Sequence, residues 1–176
     1  MTLTVYAPPV RDRDEARREA AVRASGVLDA SDDPQLRWMV ESVRRSLRAD
    51  VAAISILHQD WRYVVVASGT IPGVHSRRTS FCGHAIVGDD PVFCVADASR
   101  DARFAGNPYV EEGIVGFYAG VVLQGPEGYA LGTLCVYDSA PRGGLTGFER
   151  SALVASGARV SERLAQRAEQ SARPLH

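Results

Sequence analysis

Ser80-Phe81-Cys82-Gly83-His84-Ala85-Ile86 is the run that organises this sequence of 176 residues. Ser80 is a good N-cap, because its hydroxyl can accept from the first free amides of a helix. The spacing predicts a short helix over Phe81–Val87, stopped by Gly88-Asp89-Asp90-Pro91. Such a helix is too short to hold itself together, so it must lie on something larger. The flanking sequence supplies that surface.

Upstream, Ser68–Thr79 reads as a loop with Gly69, Pro72 and Gly73. Before it, Val51–Leu57 is apolar and rich in strand formers, and Tyr63–Ala67 returns as a second strand across a turn at His58–Arg62. Asp33-Pro34 is a cap followed by proline at the first helical position. It starts a helix whose Leu36, Met39, Val40, Val43 and Leu47 fall on one face. Arg11–Ser25 reads as an earlier helix with charges of alternating sign on a solvated face. Ala16, Ala20 and Ala24, with Val22, give it a thin apolar edge, and Gly26 can end it. Residues 1–10 read as a flexible N-terminus.

Downstream, Val92–Val95 is a brief strand and Ala96–Gly116 an irregular stretch with one or two helical turns. Phe117–Leu123 and Ala130–Tyr137 are strands about a Gly125-Pro126-Glu127-Gly128 turn. Thr146 and Glu149 form a T-x-x-E capping box. A long helix then spans Phe148 to about Ala168, with Phe148, Leu153, Val160 and Leu164 near one face. Residues 171–176 read as a tail. Hairpin-linked strands make a largely antiparallel sheet. The expectation is one α+β domain over residues 11–170, with the terminal helices on one sheet face and short helices and loops on the other.

The stretches Gly26-Val27-Leu28-Asp29, Ala53-Ile54-Ser55-Ile56-Leu57 and Ser80–Ile86 resemble those of GAF domains. So do Asp97-Ala98, Asp101-Ala102-Arg103-Phe104, Asn107-Pro108, Phe117-Tyr118-Ala119-Gly120 and Leu131-Gly132-Thr133-Leu134-Cys135-Val136, all in the right order. The resemblance covers about Asp29–Leu164. It implies an antiparallel sheet of about five or six strands, with helices on both faces. It also implies a ligand cavity, where one exists, beneath the short helices, dimers through terminal helices, and a regulatory role.

Composition bounds the chemistry. Net charge is -1, with no excess of basic residues to attract nucleic acid or acidic lipid. All 20 basic residues are Arg, so neither a Schiff-base lysine nor a P-loop lysine is available. The three cysteines, Cys82, Cys94 and Cys135, form no CxxC pair. An odd count without a framework fits a reducing compartment and a cytoplasmic protein. No apolar run is long enough for a membrane span.

Four chemistries are weighed at the central run. A metal site would use Cys82, His84 and Cys94, but Cys-x-His on a helix points its side chains apart and a fourth ligand is missing. No cofactor is expected. Cyclic nucleotide binding by GAF domains uses an Asn-Lys motif that a chain without lysine breaks. A bilin would attach through a Cys-His pair beyond the middle strands, which Cys82-Gly83-His84 does not match, and haem would need His84 over a large cavity. Thiol chemistry would use Cys82 with Cys94. Phe81-Cys82-Gly83 resembles the Gly-Val-Cys-Gly motif of free methionine-(R)-sulfoxide reductases, but Ala105-Gly106-Asn107 stands where their catalytic cysteine falls.

The expectation is therefore a non-catalytic sensory module. Its pocket residues would be Phe81, Cys82, His84, Asp97, Phe104, Asn107 and Tyr118, aromatic walls with a few polar groups. Its partners would be itself, as a homodimer through the terminal helices, a small-molecule ligand and a signalling protein. Neither nucleic acid nor membrane is expected.

Overall fold

The computed structural model describes residues 6–173. Residues 1–5 and 174–176, parts of the expected flexible N-terminus and tail, lie outside the described residues. The elements run α1 (Glu15–Ser25), α2 (Pro34–Ser46), β1 (Val51–His58), β2 (Trp61–Ser68), β3 (Gly73–Ser76), α3 (Phe81–Ala85), β4 (Val92–Val95), α4 (Pro108–Glu111), β5 (Phe117–Gln124), β6 (Ala130–Asp138) and α5 (Gly147–Ala172). Short 3-10 segments fill Val27–Asp32, Arg77–Thr79, Ala98–Arg100 and Ala102–Phe104.

The six strands form one sheet in the order β3-β2-β1-β6-β5-β4, and every neighbouring pair is antiparallel. Alternation along each strand sends side chains to opposite faces. On one face Ala52, Ile54, Ile56, Ala119, Val121, Leu134 and Val136 meet the inner sides of α1, α2 and α5. On the other face Ala53, Leu57, Val64, Tyr118 and Cys135 meet α3 and the irregular stretch around Phe104. The fold is the expected α+β arrangement, with the terminal helices on one face.

Capping fixes the helix starts. Asp33 accepts from Gln35 and Leu36 at 2.9 and 3.2 Å and starts α2. Its other carboxylate oxygen is gripped by Arg163 at 2.8 Å and Arg167 at 3.1 Å, so it also ties α2 to α5. Thr146 and Glu149 complete the capping box of α5 at 3.1 and 2.8 Å. Gly26 ends α1 at φ 62°, a left-handed conformation that glycine adopts without strain.

Four local expectations are corrected. The turn between β1 and β2 is only Gln59-Asp60, so Trp61 and Arg62 belong to β2, and the loop 68–79 contains edge strand β3. Helix α1 begins at Glu15 rather than Arg11, and its inner face is Arg18, Val22 and Ser25, while Ala16, Ala20 and Ala24 are exposed. Arg18 can go inside because Glu15 neutralises it at 2.8 Å and the Ala130 carbonyl accepts at 3.1 Å. Arg77 binds the same carboxylate from the loop before α3. Phe148 does not join the inner face of α5 but is 79% exposed, as it precedes the first inward turn at Leu153.

Candidate functional site

Helix α3 is held in place from both sides. The Ser80 hydroxyl accepts from Gly83 N at 3.0 Å and donates to the Arg77 carbonyl at 2.8 Å. Gly83 must be glycine, because a Cβ there would sit 2.5 Å from Pro9 Cγ and 2.8 Å from Ser80 Oγ. Pro9 belongs to the opening segment, which crosses α3 and pairs Ala7 N with the Arg103 carbonyl at 2.8 Å. His84 Nε2 meets the Ala7 carbonyl at 3.0 Å. Burial lowers the pKa of His84, so the ring is neutral and donates this bond.

Between α3, β3, α4 and the sheet lies a cavity of about 340 Å³. Its walls are mostly apolar: Ala53 and Val64 from the sheet, Ile71, Pro72 and Val74 from the β3 edge, and Ile114 and Val115 after α4. Phe81, Tyr109, Tyr118 and Tyr137 supply aromatic surface. Its volume is at the low end of the ~300–1,000 Å³ usual for small-molecule sites. Phe81 is fixed by a parallel stack on Phe104, centroids 4.0 Å apart, and by Tyr118 at 5.2 Å.

Of the expected site residues, the structure brings Phe81 and Tyr118 to this cavity. Phe104 backs the stack from behind, and His84 packs edge-on against it, so neither reaches the cavity wall. Asn107 is buried as a tie: its Nδ2 donates to the Thr79 carbonyl at 3.0 Å, and its Oδ1 caps α4 through Tyr109 N at 3.0 Å. Asp97 caps the 3-10 turn at Ala98 through Ser99 N at 3.0 Å.

Cys82 lies under the cavity wall. Its sulfur accepts from Tyr118 Oη at 3.2 Å, and Thr133 Oγ1 lies 3.4 Å from the same hydroxyl. The Cys135 thiol beside it draws the Cys82 pKa down; burial opposes this, and the Arg62 charge assists. Cys135 is pushed up by Cys82 and by burial, and Tyr118 by burial and the two thiols. Cys94 is not in this group. It pairs with Ala119 on β5 and follows the helix-side alternation, while Val95 and Tyr118 face Cys82. Cys82 and Cys94 are thus on opposite faces of the sheet, and the sulfur near Cys82 is Cys135. No group of three or more metal-ligating side chains forms among the described residues.

Two polar features were missed in the sequence. Arg62 sits on the cavity side of β2, two residues from Val64, with its guanidinium 5.7 Å from the Tyr109 ring centroid. Reading Arg62 as a turn residue hid it. Shortening the turn makes Trp61-Arg62-Tyr63-Val64 an alternating strand with Arg62 facing inward. His75 faces Arg62 in the β2–β3 register, and its Nδ1 lies 3.1 Å from Tyr109 Oη. Burial, and then the Arg62 charge, lower the His75 pKa and keep the ring neutral.

A six-stranded antiparallel sheet, helices packed on one face and a capped short helix roofing a cavity on the other define a two-faced α+β domain. A GAF domain family model matches residues 33–165, and the chain belongs to the GAF domain family, a family of sensory and regulatory modules. A cyclic di-GMP phosphodiesterase of Pseudomonas aeruginosa is 39% identical over 140 residues, which is 79% of this chain and 24% of that protein. The chain thus spans about a quarter of that relative's length. The GAF domain of an Acinetobacter phosphoenolpyruvate-protein phosphotransferase superposes with a TM-score of 0.64 at 19% identity, covering 94% of this chain and 99% of that one. A type II free methionine-R-sulfoxide reductase of Thermoplasma acidophilum superposes at 0.61 and 9% identity, covering 81% and 96%. These two likenesses are of fold. No helix among the described residues is long and apolar enough to cross a membrane.

Proposed function

We propose that this protein is a non-catalytic regulatory module of the cytoplasm that takes a small molecule into the cavity beneath α3 and reports its presence to a signalling partner. The largely apolar, partly open cavity of about 340 Å³ carries this reading. Its walls are anchored by the Phe81–Phe104 stack and the Asn107 tie, so the space is largely formed before a ligand enters. Native mass spectrometry of the purified protein tests it. A stoichiometric adduct of a few hundred daltons, lost on denaturation, is the expected result. The reading fails if no small molecule from a metabolite extract raises the Tm or is retained.

The module acts as a homodimer through its helical layer. Trp38 and Phe148 are 70% and 79% exposed there, on α2 and α5. Trp38, Met39, Ala152 and Ala155 line a groove between these helices, and α1 exposes Ala16, Ala20 and Ala24. Exposed aromatic side chains beside small residues suit close helix packing across a two-fold axis. Light scattering at high micromolar concentration is expected to give a dimer, and Trp38→Glu a monomer. A monomeric wild type rejects the interface. The phosphodiesterase relative suggests a nucleotide-signalling enzyme as the regulated partner.

A second reading, thiol redox chemistry, is favoured by the Cys82–Cys135 neighbourhood rather than by Cys82 with Cys94. Turnover of free methionine-(R)-sulfoxide by the reduced protein tests it, and a rate no greater than that of Cys82→Ser removes it.

A further inference from the structure

Arg62 is a cation without an anion. Nearly every other inward-facing arginine in this protein has a carboxylate. Arg18 and Arg77 share Glu15, Arg142 pairs with Asp138, and Arg163 with Arg167 grips Asp33. Among the described residues no carboxylate pairs with Arg62, and its buried Nε has no hydrogen-bond partner. The anion-forming groups around it are thiols and phenols: Cys82, Tyr109, Cys135 and Tyr118. The Cys82 sulfur already takes its hydrogen bond from Tyr118 rather than from the guanidinium. The ring of Tyr109 offers the guanidinium only a face, at 5.7 Å.

Arg62 is half-buried with its Nε fully enclosed, and even partial withdrawal of a guanidinium from water without a partner is costly. Here the guanidinium lines the cavity, where the missing partner can arrive from outside. Its donors form a planar fork that matches a carboxylate in two parallel hydrogen bonds. Around it the walls are aliphatic and aromatic, suited to a short apolar body. His75 and Tyr109 stand at the same end, with one hydroxyl or ring N–H to offer to an anion.

We infer that the cavity ligand is a small monocarboxylate with an apolar body, whose carboxylate pairs with Arg62. This inference rests on the reading of the cavity as a ligand site and adds its chemical class. One lining cation matches one negative charge. A cyclic dinucleotide would bring two phosphates to a single guanidinium and to a cavity at the small end of ligand sites.

The test uses the intact protein and matched pairs: isovalerate with isovaleramide, phenylacetate with phenylacetamide, and indole-3-acetate with its amide, with phenyl phosphate as a further arm. Binding is measured by calorimetry and by Tm shift. At least one acid is expected to bind at least ~10-fold more tightly than its amide, since charge-assisted bidentate bonds are about twice as strong as neutral ones. That preference should vanish in Arg62→Met and weaken in Arg62→Gln. Without ligand, Arg62→Met is expected to keep or raise the wild-type Tm, because no ion pair is lost and a half-buried cation with an unpartnered Nε is removed.

An amide that binds as well as its acid, or an acid that still binds Arg62→Met, overturns the anchor while leaving the cavity a ligand site. Failure of every acid and every amide overturns both. Tighter binding of phenyl phosphate than of phenylacetate overturns the carboxylate. A lower Tm or loss of folding in Arg62→Met and Arg62→Gln assigns the guanidinium a structural role and overturns the inference.

Discussion

The two faces of the sheet are made by the same strands and solve different problems. The helix-side face is aliphatic: Ile54, Ile56, Leu134, Val136, Leu153 and Val160 are at most 0% exposed and fill the space against α2 and α5. The opposite face mixes stacked aromatics, two thiols, an arginine and a hollow. Small aliphatic side chains interlock into a close-packed layer, whereas flat rings braced by side-chain hydrogen bonds can stand as walls around empty space. One layer supplies stability, and that allows the other to remain hollow.

The largest difference between the faces is kinetic. Cys94, exposed beyond the helix side of β4, should react with a maleimide at pH 8, although burial of its surroundings raises its pKa. Cys82 and Cys135 are buried and should react at least ~1,000-fold more slowly, through opening of the fold. Mass spectrometry of timed samples reads this directly. Cys82 labelling well before Cys135 would mean that α3 lifts as a unit, and equal rates would mean global unfolding.

Next come truncations. Leu134→Ala, at the centre of the filled face, should cost about 3–5 kcal/mol in urea unfolding. Ile114→Ala, at the cavity mouth and 41% exposed, should cost less than about 1 kcal/mol. Similar costs at the two sites would erase the distinction between a filled and a hollow layer.

A salt link ties the two layers together, and it titrates. Burial alone would raise the Glu15 pKa, but hydrogen bonds from Arg18 and Arg77 bring it to about 2. A free glutamate has a pKa near about 4.3. The unfolded chain therefore binds the proton more readily, and the stabilisation is present above that value and lost as pH falls towards 2. Wild-type Tm should fall more steeply than that of Glu15→Gln between about pH 5 and 2. At neutral pH Glu15→Gln should be less stable by about 3 kcal/mol, because two buried guanidiniums lose their carboxylate. Parallel Tm–pH curves would show that the link carries no stability.

Much of the frame was legible in the sequence because local chemistry dictates it. Asp33-Pro34, Thr146 with Glu149, and Ser80 each cap a helix through bonds made within a few residues, and all three form as read. The site was less legible. Phe81 and Tyr118 line the cavity because the capped helix and strand β5 carry them to the same sheet face. Arg62 was not legible, since its role depends on a turn three residues shorter than expected and on edge strand β3, whose Gly73-Val74-His75-Ser76 has no strong strand pattern. Cys135 was overlooked as a neighbour of Cys82 because only the sheet order places β6 under α3. The alanine face of α1 misled for a related reason: Arg18 is buried by a carboxylate that sequence spacing alone does not single out.

Ala53 forms part of the cavity floor, while Ala52 and Ile54, its neighbours along β1, lie against the helical layer. The partition between the cavity and the helices is a single strand thick. Strand β1 is paired on both sides, by β2 and by β6, with one register shift against β2 between Ile54 and Ser55. Were a molecule to occupy the cavity, the strand it touched would be the same one that seats the helices on the other side.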